Sequence, residues 1–337
     1  MSLSIKLPKT LGVNYIRDLL QVCGKIRSST ENVELDCSEV SFIDPLGLTL
    51  LSSTLETIDP SRKISMPWLS VNLTSYLSRM DFFLRRNIDG VDIIQQNRNN
   101  RKDRLVELTI LTDSAESERV AERMATAITG SITKRTPKND DFSNPDTEYY
   151  QYYDPIRYSI SELLENALTH ARRQGKITAA VWLAAQYYSP DRVHISVVDN
   201  GCGFLGSLSA HPELQEKTHS AAIQLALKPR ISCNRDMGPF ASSENQGVGL
   251  TTTYRISKES AGEILIASGD SLFHDSGEGY TRRNKRISSA GSYWQGVAIS
   301  ATFTRANLPL IRIPELLPDT EGSTTDGNSS IALRFVD

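Results

Sequence analysis

The stretch "ISELLENALTHA", Ile160–Ala171, sets Glu162 and Asn166 four residues apart in a segment that otherwise reads as a buried helix. Residues at that spacing stack on one helical face, so a carboxylate and an amide point into the same space. Leu163, Leu164, Ala167 and Leu168 supply the apolar side that packs the helix into a core. An isolated pair of this kind is usually the polar edge of a surface helix. Two segments downstream change that reading.

The first is "RVHISVVDNGCGF", Arg192–Phe204, an alternating strand that ends in Asp199-x-Gly201-x-Gly203. Glycines there let the backbone turn tightly and approach a flat ligand. An aspartate at a strand end can accept the amino hydrogens of a purine, a charge-assisted bond of about 1.5–3 kcal/mol. The second is "NQGVGLTTTYRI", Asn245–Ile256, with Gly247 and Gly249 ahead of a helical run that opens on Leu250 and Thr251. Backbone amides at a glycine-rich helix start form a phosphate site. Each motif alone is common and weak.

In the order helix ExxxN, strand DxGxG, loop GxGL, the three resemble the Bergerat-fold ATPases, the GHKL group of gyrase, chaperone ATPases, histidine kinases and MutL. "ELLENALTHA" is similar to the N box, "DNGCGF" to the G1 box and "GVGL" to the G2 box; "GEILIASGD" and "GVAISATF" resemble the last two strands. The resemblance implies a two-layer α/β sandwich over residues 105–308, with an insertion near 133–153 and an ATP lid over 204–246. It implies ATP and Mg²⁺ as ligands. Asn166 would coordinate the metal, Asp199 would bind the adenine amino group, and Gly201 and Gly203 would shape the base pocket. Gly247, Gly249, Leu250 and Thr251 would support the phosphates. Glu162 matches the glutamate that serves as general base in gyrase, MutL, the chaperone ATPases and the anti-sigma serine kinases, work that contributes typically ~10²–10⁴ in rate.

Histidine kinases supply their attacking nitrogen from a separate helix bearing a His, an acidic residue and a proline. His211 falls inside the expected lid, His170 within the N box and His194 on a strand, which argues against an ordinary sensor histidine kinase. Lys217, Lys228, Arg230 and Arg235 of the lid, and "TRRNKR" at Thr281–Arg286, are cations that could face a γ-phosphate. Each also reads as part of a solvated loop.

Upstream, "VELDCSEVSFI", Val33–Ile43, reads as a strand and a short loop. Asp44 and Pro45 then form a helix start: the carboxylate takes orphan amides, and proline has none to lose. A second helix is expected in "NLTSYLSRMDFFLRR". The phrase "LDCSEVSFIDPLG" resembles the STAS fold, named for sulfate transporters and anti-sigma-factor antagonists, which implies a mixed sheet with helices over residues 1–94. Phosphorylatable members carry Ser or Thr where this chain has Leu46, so the half reads as a docking or dimerisation module. The polar "QQNRNNRKDR", 95–104, reads as a linker, and 309–337 as a polar tail that ends in a possible edge strand, "IALRFVD".

With 337 residues and 39% hydrophobic composition, the chain has material for two cores of α/β (α+β) class. The net charge of -3 provides no field for nucleic acid or lipid, and no apolar run approaches a membrane span. Four scattered cysteines, no zinc spacing and no signal-peptide core lead us to expect a cytoplasmic protein. Three functions share the expected pocket: a kinase acting on a protein partner, a conformational ATPase whose nucleophile is water and which could work as a homodimer, and an ATP sensor without chemistry.

Overall fold

The computed structural model describes residues 2–91, 106–135, 148–172, 174–176, 178–188, 190–231, 247–276, 283–286 (backbone only) and 292–317. The expected linker at 95–104, the "IALRFVD" segment, most of the expected insertion and residues 232–246 of the expected lid lie outside these.

The first 91 residues fold as β1 (Ser2–Lys6), β2 (Thr10–Leu11), α1 (Ile16–Ser28), β3 (Asn32–Asp36), β4 (Phe42–Ile43), α2 (Pro45–Thr57), β5 (Ile64–Ser65) and α3 (Val71–Arg79). Strands β1, β3 and β5 form a parallel sheet in the order β1-β3-β5, and β2 pairs with β4. The spacing of Asp44 and Gly47 in the quoted "IDPLG" has a local cause. Asp44 Oδ1 accepts the Gly47 amide at 2.9 Å and Oδ2 the Val13 amide at 2.8 Å, so one carboxylate caps α2 and fixes the turn beyond β2. Gly47 is needed because a Cβ there would overlap the Leu11 backbone.

The remainder comprises β6 (Thr109–Leu111), α4 (Ser117–Thr133), α5 (Glu148–His170), β7 (Val181–Tyr188), β8 (Arg192–Asp199), α6 (Gly203–Leu208), α7 (His219–Ala226), α8 (Gly249–Glu259), β9 (Ile264–Gly269), β10 (Ser271–Asp275), β11 (Arg283–Arg286), β12 (Trp294–Thr304) and α9 (Ile313–Leu316). The seven strands form one sheet in the order β11-β10-β9-β12-β8-β7-β6, with every neighbouring pair antiparallel. This is the α/β class the sequence predicts. Helix α5 begins at Glu148, inside the stretch 133–153 expected as a surface insertion, because Tyr149 and Tyr152 are buried there.

Side chains alternate across the strands, and both faces of this sheet are covered. Val181, Leu183, Val193, Ile195, Val197 and Ile266 pack with α4, α5 and α8. Trp182, Ala184, Val198, Ala267 and Trp294 point the other way and join the core of the first 91 residues. The element that meets them is α2, buried without interruption from Pro45 to Leu55. A helix that is buried on every side belongs in an interior, and the Thr49, Ser52, Ser53 and Thr54 of α2 are buried with its leucines. It lies across β7, β8 and β12. Thr49 Oγ1 is 2.9 Å from Ser196 Oγ, and Trp182 Nε1 donates to Glu56 Oε1 at 3.2 Å. Further out, the Tyr76 hydroxyl donates to Gln186 Oε1 at 3.2 Å and Arg79 pairs with Glu107. The two halves thus meet through one shared apolar core.

Candidate functional site

Helix α5 turns Leu163, Asn166, Ala167 and His170, at intervals of three and four, toward the end of β8, and Ala171 follows just beyond the helix. Opposite stand Val197 and Asp199 of β8, and Val297 and Ile299 of β12, pairs two apart on single strands. Gly203 and Phe204 at the start of α6, with Gly247 and Leu250 at the start of α8, close the ends. Together they line a narrow slot of about 70 Å³, apolar for most of its wall. Asn166 and Asp199 are its polar groups that stand out.

Asp199 is 3% exposed. Its Oδ1 accepts the Gly201 amide at 2.8 Å and its Oδ2 the Val297 amide at 3.2 Å. Burial pushes its carboxyl up to about 7, against the pull of those two amides. A buried carboxylate of this kind retains acceptor capacity and gains from any further donor. The strand end is held from behind as well, since Trp294 Nε1 donates to the Asp199 carbonyl at 3.0 Å.

Each glycine of the second motif has a specific task. Gly201 lies against Ala171, where a Cβ would overlap the Ala171 backbone, so it locks the turn to α5 rather than lining the slot. Gly203 has φ +70°, and a Cβ there would stand 2.8 Å from the Gln295 carbonyl. Ser268 Oγ accepts the Phe204 amide at 3.2 Å and donates to the Gly296 carbonyl at 3.0 Å, fixing this turn to β12.

Glu162 stands one helical turn before Asn166 and outside the slot's lining. It lies against the start of α8: a Cβ at Gly249 would overlap its carboxylate. Burial raises the Glu162 carboxyl to about 7, with the neighbouring Glu165 charge adding to the rise and a hydrogen bond from Tyr158 opposing it. Gly247, at φ +86°, lets the chain turn into α8 past Ile231. Thr251 is buried and its hydroxyl donates to the Leu227 carbonyl at 3.1 Å, so it ties α8 to the end of α7. Of the residues marked by the sequence, the structure therefore brings Asn166, Asp199, Gly203, Gly247 and Leu250 to one slot. Glu162 and Gly249 adjoin it, while Gly201 and Thr251 support it.

Residues 152–285 match the family model described as histidine kinase-, DNA gyrase B-, and HSP90-like ATPase. These residues form a GHKL-type ATPase domain. The matched span contains all three motifs and, with them, Glu162, Asn166, Asp199, Gly201, Gly203, Gly247, Gly249, Leu250 and Thr251. No curated protein and no solved structure matches the chain. A domain of this type binds ATP, and the slot described above is where its three motifs converge. Among the described residues no helix is long and apolar enough to cross a membrane.

His170, Val197, Ser207, Ala226, Ile231, Val297 and Ile299 also line the slot without having been marked. Two of the signals were available. His170 is four residues beyond Asn166 on the same helical stripe, and Val197 precedes Asp199 by two on its strand. Ile231, Val297 and Ile299 carry no local signature of a ligand, because apolar side chains on a loop and a strand read as core.

The residues fit a magnesium nucleotide. Among the described residues no cluster of three or more His, Cys, Asp or Glu offers a full protein cage. Mg²⁺ needs none, since it is usually held by one or two protein ligands together with waters and phosphates. Asn166 lines the slot with an amide oxygen of the type Mg²⁺ takes, and the wall beside Asp199 is mostly apolar.

Proposed function

We propose that the chain is a regulatory protein that binds Mg–ATP in this slot and transfers the γ-phosphoryl group to a hydroxyl on a partner protein. Asp199 accepts the adenine amino group, Gly203 keeps the base plane clear, Gly201 locks the turn behind it, and Asn166 would hold the metal. The backbone at Gly247, Gly249, Leu250 and Thr251 supports the phosphates at the start of α8. The metal, when bound, supplies positive charge between the phosphate oxygens.

The observation that carries the reading is Glu162, poised near neutrality beside the first turn of α8. A general base works best when its pKa lies near the working pH. At neutral pH a substantial fraction of Glu162 is ionised and able to take a proton from an attacking hydroxyl.

Hydrolysis is the second reading, favoured by one specific finding. The first 91 residues resemble a STAS module, yet Leu46 replaces the hydroxyl residue and is fully buried in α2. An acceptor within the chain is therefore wanting at that position, and water would be the nucleophile if no partner supplies one. Radiolabelled [γ-³²P]ATP separates the readings. Label on a partner protein supports transfer, free phosphate supports hydrolysis, and intact ATP would leave nucleotide sensing alone.

A further inference from the structure

A second cavity, of about 510 Å³, lies between the two halves of the molecule. A single water needs only ~10–15 Å³, so there is room for a multi-atom ligand. Asn200, the residue after Asp199, forms part of its wall. Arg27 of α1, Arg62 and Asp59 from the segment between α2 and β5, and Lys176 ahead of β7 are among the others. Three cations thus face one carboxylate. That carboxylate is already engaged: Asp59 Oδ1 accepts the Ser61 amide at 2.8 Å and the Ser61 hydroxyl at 2.7 Å.

Asp59 apart, the charged residues of this wall are donors. Arg62 is 8% exposed; its Nε donates to the Glu31 carbonyl and its Nη1 to the Ile26 carbonyl at 3.0 Å, but its buried Nη2 has no acceptor among the described residues. Arg27 Nε is likewise buried without an acceptor among them, while its guanidinium lies 3.9 Å over the Trp294 ring. Asn200 spends its carbonyl on the Ala180 amide at 2.9 Å, which leaves its NH₂ to donate. Ser29 Oγ accepts the Glu31 amide at 3.0 Å, which leaves its proton to donate. Burial lowers both guanidinium pKa values, with Arg86 beside Arg62 adding to the effect there.

We propose that this cavity binds a small phosphate-bearing anion, received by Arg27 and Arg62 with Lys176 at the rim and Asn200 and Ser29 completing the donor set. Paired guanidiniums and short hydroxyl and amide donors suit the several oxygens of a phosphate. The inference does not depend on which nucleophile the nucleotide slot serves.

Pyrophosphate is the probe, titrated calorimetrically into the full chain carrying Asn166→Ala, so that the nucleotide slot is disabled. The chain should still bind it, and adding the exposed change Lys176→Glu should weaken that binding by about tenfold or more. Arg62→Lys, which keeps the charge but loses the fork, should weaken it as well. Absence of pyrophosphate binding at millimolar concentration in the Asn166→Ala chain would overturn the proposal. So would an affinity untouched by Lys176→Glu. Citrate binding as tightly as pyrophosphate would overturn the phosphate assignment.

Discussion

Gly249 and Glu162 are in such close contact that any side chain at the first would overlap the carboxylate of the second. This contact joins the acidic helix to the glycine loop. It sets the Glu162 carboxylate beside the first turn of α8, which no N-cap side chain closes. The chemistry proposed for this domain depends on that placement.

Replacing Glu162 by Gln should therefore remove turnover while sparing nucleotide binding. The expected loss in kcat is ~10²–10⁴, with little change in the ATP dissociation constant. The wild-type rate should rise with pH through about 7, the value to which burial raises this carboxyl. Steady-state kinetics beside calorimetry would check both. A Gln variant that binds poorly but turns over normally would exclude the base role.

Asp199→Asn should act on binding. The amide cannot offer two acceptor oxygens to a purine amino group and the Gly201 and Val297 amides together. ATP affinity should fall about tenfold to a hundredfold, read by calorimetry. Equal binding by wild type and variant would remove Asp199 from the base site.

The same two carboxyls predict how stability follows pH. Asp199 is raised from 3.8 and Glu162 from 4.5, each to about 7. Between those limits the folded chain holds protons that the unfolded chain has released, so stability falls as pH rises through about 7. The thermal midpoint of the nucleotide-free protein should be higher at mildly acidic than at mildly alkaline pH, and Glu162→Gln should flatten the trend. A midpoint that climbs steadily across this window would show that the two groups are not held protonated by burial.

The packing of α2 on the sheet predicts a coupling across the halves. Thr49→Val leaves Ser196 Oγ buried without its partner and should cost about 1–3 kcal/mol in chemical denaturation. Ser196→Ala in the same chain should recover part of that loss, as a double-mutant cycle requires for groups in contact. Leu46→Ser should cost about 3 kcal/mol by removing a buried side chain and should acquire no phosphate label. Full additivity of the two Thr49 and Ser196 changes would mean that the hydrogen bond contributes nothing.

The site was legible in the sequence because its groups follow local periods. Glu162 and Asn166 share a helical face, Asp199 ends an alternating strand, and Gly247 and Gly249 precede a helix. The interface was not legible, for two physical reasons. His194, Ser196 and Ser300 lie on β8 and β12 where alternation assigns them to water, yet they are buried and paired with Thr49 or with each other. Their partners are more than a hundred residues distant, and no local pattern announces such pairing. Helix α2 gave its own start signal through Asp44 and Pro45, but its leucine-rich run, interrupted by Thr49, Ser52, Ser53 and Thr54, does not reveal which surface covers it.

Hydrogen exchange followed with and without Mg–ATP tests the central assignment most directly. The account predicts added protection in three segments, 162–171, 199–204 and 247–251, with all three losing that response in Asp199→Asn. Exchange that is unchanged by Mg–ATP there, or protected only in other parts of the chain, would contradict it.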